Sequence, residues 1–238
     1  MEANLLSILA LGFILGIKHA IEPDHVIAVS TIASQSKKLI SSTLSGVFWG
    51  IGHTATLFVI GTWLILMKGE IPEIWAMSLE FVVGIMLVYL GISTFFSFKH
   101  LHVHKQKREE ADHVNLHSHQ HHGEHKHQHP RKKISYLKSM MIGFVHGLAG
   151  SGAMVLLTMS TVKSVWEGAV YILIFGAGTV VGMLFFTTVI GIPFVLSAGK
   201  STFNKPLTQL TAVISTVFGV YYMYTLGVTE GLFHLWMQ

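Results

Sequence analysis

Cysteine is absent from the 238 residues. Disulfides and thiolate ligands are therefore excluded, and any metal site must use nitrogen and oxygen donors. Charge is also scarce: Asp, Glu, Lys and Arg make up 12% of the chain, against roughly 25% in soluble domains. No G-x-x-x-x-G-K-[ST] loop occurs, so direct use of ATP is not expected, and no H-E-x-x-H helix marks a zinc hydrolase. The start, "MEAN", has no basic segment before it turns apolar, so a cleaved signal peptide is not expected. The net charge of +4 comes from basic residues between apolar runs, which gives no sign of a nucleic-acid partner.

Apolar runs are what the chain has in abundance. Hydrophobic residues make up 51% of it, with a mean hydropathy of +0.56. Residues 5–34, 43–67, 75–98, 135–162, 166–197 and 207–229 each exceed the roughly 20 residues that cross a bilayer core as a helix. Six spans are therefore predicted, and the lipid bilayer is the first partner. The loops after spans 1, 3 and 5 hold 13 of the 16 Lys and Arg residues. The positive-inside rule puts those loops in the cytoplasm and both termini outside.

The third loop has its own composition. Residues 99–134 carry 11 of the 16 histidines, mixed with charges and Gln, and such a tract cannot bury enough apolar surface to pack. It separates a first half, 1–98, from a second, 135–238. The halves echo each other. "LGIKHA" (15–20) resembles "IGFVHG" (142–147), and "FWGIGHT" (48–54) resembles "IFGAGTV" (174–180), which sets His19 opposite His146. With three spans in each half, the second enters the membrane upside down, the inverted-repeat plan that places transporter sites at the repeat interface near the midplane. The expected fold is an all-α polytopic membrane protein, six transmembrane helices as two inverted three-helix repeats.

The candidate site lies in the first span, where "GIKHAIEPDHVIAV" (16–29) interrupts an apolar run. A straight helix over 5–34 would be about 45 Å long, well over the roughly 30 Å hydrocarbon core. Pro23 predicts a break instead. It lacks the N–H that would bond to the carbonyl of His19, and it pushes Glu22 away from helical angles. A kink lets His19, Asp24 and His25 converge beside freed backbone oxygens. Each ionised side chain at mid-bilayer costs about 2.5–3.5 kcal/mol, so these groups must satisfy one another or a cation. The plainer alternative is a Lys18–Glu22 ion pair at i,i+4, with Asp24 capping the following half-helix. It leaves the two flanking histidines unexplained. His53, within "GVFWGIGHTATLF" (46–58), is either a further ligand or an interhelical hydrogen bonder. His146 has similar glycine-rich flanks. Three imidazoles and a carboxylate suit Ni(II), Co(II), Zn(II) or Cu(II) better than Mg or Ca.

These residues resemble the nickel/cobalt transporter family. Its His-x4-Asp-His signature is matched by His19, Asp24 and His25, with Glu22 where an aspartate is usual. Its Gly-His-Ser/Thr element in the next span is matched around His53. "HAIEPDHVIAVSTIAS" (19–34) looks like the urease-accessory branch, which supplies nickel. Two departures stand out: the better-known members have eight spans, and the family's later Asp/Thr-rich motif is replaced here by "HGLAGSGAM" (146–154). The resemblance implies a non-enzymatic permease of a bacterial plasma membrane, binding metal through His19, Glu22, Asp24, His25 and His53. Ni²⁺ or Co²⁺ is then a transported substrate rather than a permanently bound cofactor, and a cytoplasmic metallochaperone is a partner. Uptake is the expected direction. The alternatives are an efflux protein sensing metal through its His-rich loop, and an intramembrane metal-dependent hydrolase.

Overall fold

The computed structural model describes residues 2–67, 71–97, 136–161, 164–199 and 201–237, with 2–5, 150–161 and 201 in backbone only. The expected His-rich loop at 99–134 lies outside the described residues. Among these residues the chain is all-helical: α1 Glu2–His19, α2 Pro23–Ala33, α3 Leu39–Met67, α4 Glu73–Ser97, α5 Tyr136–Thr161, α6 Val165–Ser197, α7 Ser201–Tyr224 and the short α8 Leu232–Trp236. A π-helical turn, Thr225–Thr229, extends α7.

Where six crossings were expected, four helical stretches among the described residues are long and apolar enough: α3, α4, α6 and Thr202–Thr229. The α1–α2 pair makes a fifth if its two arms count as one span. Its arms, Leu6–His19 and Pro23–Ala33, are bent by 56°, so the break predicted at Pro23 is present. Large apolar side chains cover the outside, among them Leu11, Val59, Ile85, Leu184 and Val217. An apolar belt over helices of this length is what a bilayer solvates.

The helices pair in a regular scheme. α3 and α6 pack together at the centre, α3 also carries α5, and α6 carries α1. To the side α4 pairs with α7, while α2 touches α7 and α4 touches α5. Glycines set the closest approaches. A Cβ on Gly16 would fall on the carbonyl of Phe175, and one on Gly143 on that of Trp49. Similarly, a Cβ on Gly52 would strike the carbonyl of Met140, and one on Gly178 that of Phe13. Without a hydrophobic drive between helices in lipid, such backbone-to-backbone contact is the main source of association.

Candidate metal centre

The break between α1 and α2 builds the centre of the site. The last turn of α1 tightens, with Ile21 N–H bonding to Lys18 O and Glu22 N–H to His19 O, each at 3.1 Å, the i→i+3 pattern common at helix ends. Glu22 then takes extended angles (φ −62°, ψ 146°), as a residue before proline must, and Pro23 opens α2. The carbonyl of His19 lies 2.9 Å from His25 Nδ1. This oxygen, which lacks the i+4 N–H that Pro23 cannot supply, thus accepts the ring N–H of His25 as well as the N–H of Glu22. That bond leaves His25 Nε2 as an acceptor.

Three further imidazoles, those of His19, His53 and His146, complete the cluster. His19 Nδ1 lies 2.9 Å from Glu22 Oε2, which turns its Nε2 inward, 3.1 Å from His53 Nε2. His146 Nδ1 faces Ile142 O at 3.4 Å, and its Nε2 stands 3.7 Å from Asp24 Oδ2. That same carboxylate oxygen is 3.6 Å from His25 Nε2. These last two separations are too long for hydrogen bonds. Two groups of donors result. One ring nitrogen each from His19, His25 and His53 can come within 4.8 Å of one another, and so can one atom each from Asp24, His25 and His146. His25 belongs to both.

The imidazoles are surrounded by aromatic rings. Trp49 stacks on His53 with ring centres 5.1 Å apart and planes 8° apart. It also meets His25 edge-on at 4.7 Å and His146 at 5.1 Å. His25, His53, His146 and Trp49 are all buried. Three of their ring nitrogens, His53 Nδ1, His146 Nε2 and Trp49 Nε1, have no hydrogen-bond partner among the described residues. Unsatisfied buried nitrogens are uncommon; the indole N–H can only donate, whereas the two imidazole nitrogens can ligate a metal ion.

Each predicted residue can now be placed. His19, Asp24, His25 and His53 come together. Glu22 is half exposed and touches the cluster through His19, so its partner is His19 rather than Lys18. Glu22 is also the N-cap of α2, and no side chain caps it, so Asp24 is not held there as a cap. His146, the weaker candidate in the sequence, is fully part of the cluster. Its only sequence signals were its glycine flanks and its echo of His19. Glu80 in α4 gave no signal. It accepts a hydrogen bond from Tyr222 Oη at 3.2 Å and lies within electrostatic reach of Asp24.

The described geometry can be set beside known proteins. The family described as the cytochrome c biogenesis protein transmembrane region matches residues 8–221. A urease accessory protein, UreH, from Bacillus sp. (strain TB-90) is 61% identical over 237 residues, covering 100% of this chain and 99% of that one. Two Arabidopsis thaliana proteins, chloroplast proteins FOR GROWTH AND FERTILITY 1 and 2, are each 26% identical over 185 residues, 76% of this chain. The matched region covers 48% and 46% of their own lengths, so the chain spans about half of each. No solved structure matches the chain. The full-length relative agrees with the urease-accessory branch that residues 19–34 resemble. Its name and the matching family are those of an accessory protein and a transmembrane region. The chain is an integral membrane protein and not an enzyme.

Proposed function

We propose that this chain, which belongs to the family of the cytochrome c biogenesis protein transmembrane region, is a permease that carries Ni²⁺, and Co²⁺ as a second substrate, into a bacterial cell. The observation that carries this reading is the meeting of His19, His25 and His53 inside a membrane helix bundle, each able to offer a ring nitrogen within 4.8 Å of the others. A set of neutral imidazoles favours late first-row divalent ions over Mg²⁺ and Ca²⁺. Asp24 supplies negative charge beside them, and Glu22 holds the ring of His19. The name of the UreH relative supports nickel as the cargo, since the urease-accessory branch that residues 19–34 resemble supplies nickel for urease. The ion is substrate, and no permanently bound cofactor is part of the reading. A cytoplasmic metallochaperone that takes the delivered ion fits it.

The packing scheme supports two inverted three-span repeats. Exchanging the halves maps α1 on α6 onto α5 on α3, and α2 beside α7 onto α5 beside α4. It also maps the Gly16–Phe175 approach onto Gly143–Trp49, and Gly52–Met140 onto Gly178–Phe13. The exposed Trp63, Trp75, Trp166 and Trp236 all sit next to connections or ends that the charge bias puts outside, where an interfacial aromatic belt belongs. Two charges moving inward across 100 mV gain about 4.6 kcal/mol, enough to drive uptake without ATP.

The test is accumulation of radioactive nickel at trace concentration, wild type against His25→Ala, with Co²⁺ and Zn²⁺ as competitors. Uptake should fall at least tenfold in the variant, and Co²⁺ should compete best. Equal accumulation by inserted, folded variant and wild type would overturn the reading. Net metal loss from preloaded cells would instead favour export, with the His-rich loop as sensor.

A further inference from the structure

The geometry points to a second cation station, formed by Asp24, His25 and His146, that shares His25 with the His19–His25–His53 site. Its role as a relay rests on the transport reading above; its existence as a binding site does not.

His25 Nδ1 is held by the carbonyl of His19 at 2.9 Å, so its Nε2 is an acceptor. His146 Nδ1 faces the carbonyl of Ile142 at 3.4 Å, so its Nε2 is also an acceptor. Between these two nitrogens stands Asp24 Oδ2, at 3.6 Å from one and 3.7 Å from the other, and an ionised carboxylate only accepts. Three lone pairs therefore face one another, two of them on fully buried rings. His146 Nε2 has no hydrogen-bond partner among the described residues. A partly buried carboxylate facing only acceptors is unfavourable unless a positive charge joins it. Bonds of about 2.1 Å in a tetrahedral site put neighbouring ligand atoms roughly 3.4 Å apart. The two separations from Asp24 are close to that, and the three residues each offer a ligand atom within 4.8 Å of the others, so a modest rearrangement would let a divalent ion bridge all three.

Sharing His25 has a consequence. With Nδ1 committed to the helix break, His25 has one lone pair to give, so the two stations cannot both be complete at once. His25 is flanked by His19, with ring centres 4.5 Å apart, and by His146, at 5.2 Å. Those two histidines occupy matching places in the two halves of the sequence. A small rocking of one half against the other would pass His25, and the ion on it, from the three-imidazole set to the set containing Asp24 and His146. The second station takes the same borderline divalent ions, with one harder oxygen donor.

The first test is a Co²⁺ titration of the purified full-length protein, followed by the visible d–d absorption of bound cobalt. Wild type, His53→Ala and His146→Ala are compared as difference spectra, in which the His-rich loop is common and cancels. Each single variant should weaken the cobalt bound in the membrane region about tenfold and alter its band positions. The double variant should abolish that component. His146→Gln keeps the side-chain bulk and serves if alanine prevents folding. A titration of the His146 variants superimposing on wild type would overturn the second station. The second test is flux in proteoliposomes: His146→Asp should move the Ni²⁺-to-Mn²⁺ ratio toward Mn²⁺ about tenfold, whereas a purely structural role lowers both alike and would overturn the proposal. If wild type moves no divalent ion while the cobalt difference persists, the station stands and the transport reading falls.

Discussion

At the scale of single residues, the cluster separates groups that would hold an ion from groups that hold the ligands. Glu22 is the clearest of the second kind: half exposed, it touches the cluster through His19 Nδ1 at 2.9 Å. Losing such an orienting partner typically weakens metal affinity 10–100-fold. Glu22→Gln, which keeps the shape and drops the charge, should raise the KM for nickel uptake about tenfold and leave the maximal rate within about twofold. Saturation curves check this. A second expectation follows from imidazole chemistry. Only the neutral ring ligates, so protons compete with metal as pH falls. Nickel uptake at fixed membrane potential should decline on acidification, and should become less acid-sensitive when nickel is raised. Both positions were legible in the sequence because His19, Glu22, Asp24 and His25 lie within seven residues, where Pro23 dictates the local geometry.

At the scale of elements, the bent α1–α2 pair and the glycine contacts do different work. Pro23→Ala restores an N–H that can compete with His25 for the carbonyl of His19, and it frees Glu22 to become helical. A straighter helix would carry Asp24 away from His25 and His146. The variant should fold and insert but lose most nickel uptake, which transport measured beside a thermal unfolding curve separates from instability. Gly52 is the opposite case. A Cβ there would strike the carbonyl of Met140, so Gly52→Val must push α3 from α5, a repacking that costs about 1–3 kcal/mol. Its Tm in detergent should fall by several degrees, and metal binding should fall with it because His53 and His146 sit on those two helices. The helices themselves were readable from apolar run length. Their partners were not, because a glycine in an apolar run does not say which backbone it will meet.

At the scale of the whole molecule, the absence of cysteine becomes an experimental advantage. Single introduced cysteines report membrane sidedness without background. Lys37, exposed after α2, and Glu73, exposed at the start of α4, should lie on opposite faces of the membrane. In intact cells an impermeant maleimide should label Glu73→Cys and leave Lys37→Cys unlabelled until the cells are opened. The reverse result would invert the orientation drawn from the Lys and Arg bias. The sequence echo between residues 1–98 and 135–238 is partial. His19 and His146 occupy matching places, yet Asp24 and His25 have no matching acid or histidine in "HGLAGSGAM" (146–154).

The sequence by itself determined the membrane as solvent, the break at Pro23 and the four polar residues packed around it, because each follows from run length, charge or chemistry within one turn of helix. It also singled out His53 through a short motif in the next span. Only the tertiary structure decided that His146 belongs with them, that the carbonyl of His19 is taken up by His25, and that one imidazole sits between two sets of ligands. Those facts depend on how closely α3, α5 and α6 approach, and that distance is fixed by glycine-to-carbonyl contacts between segments more than eighty residues apart.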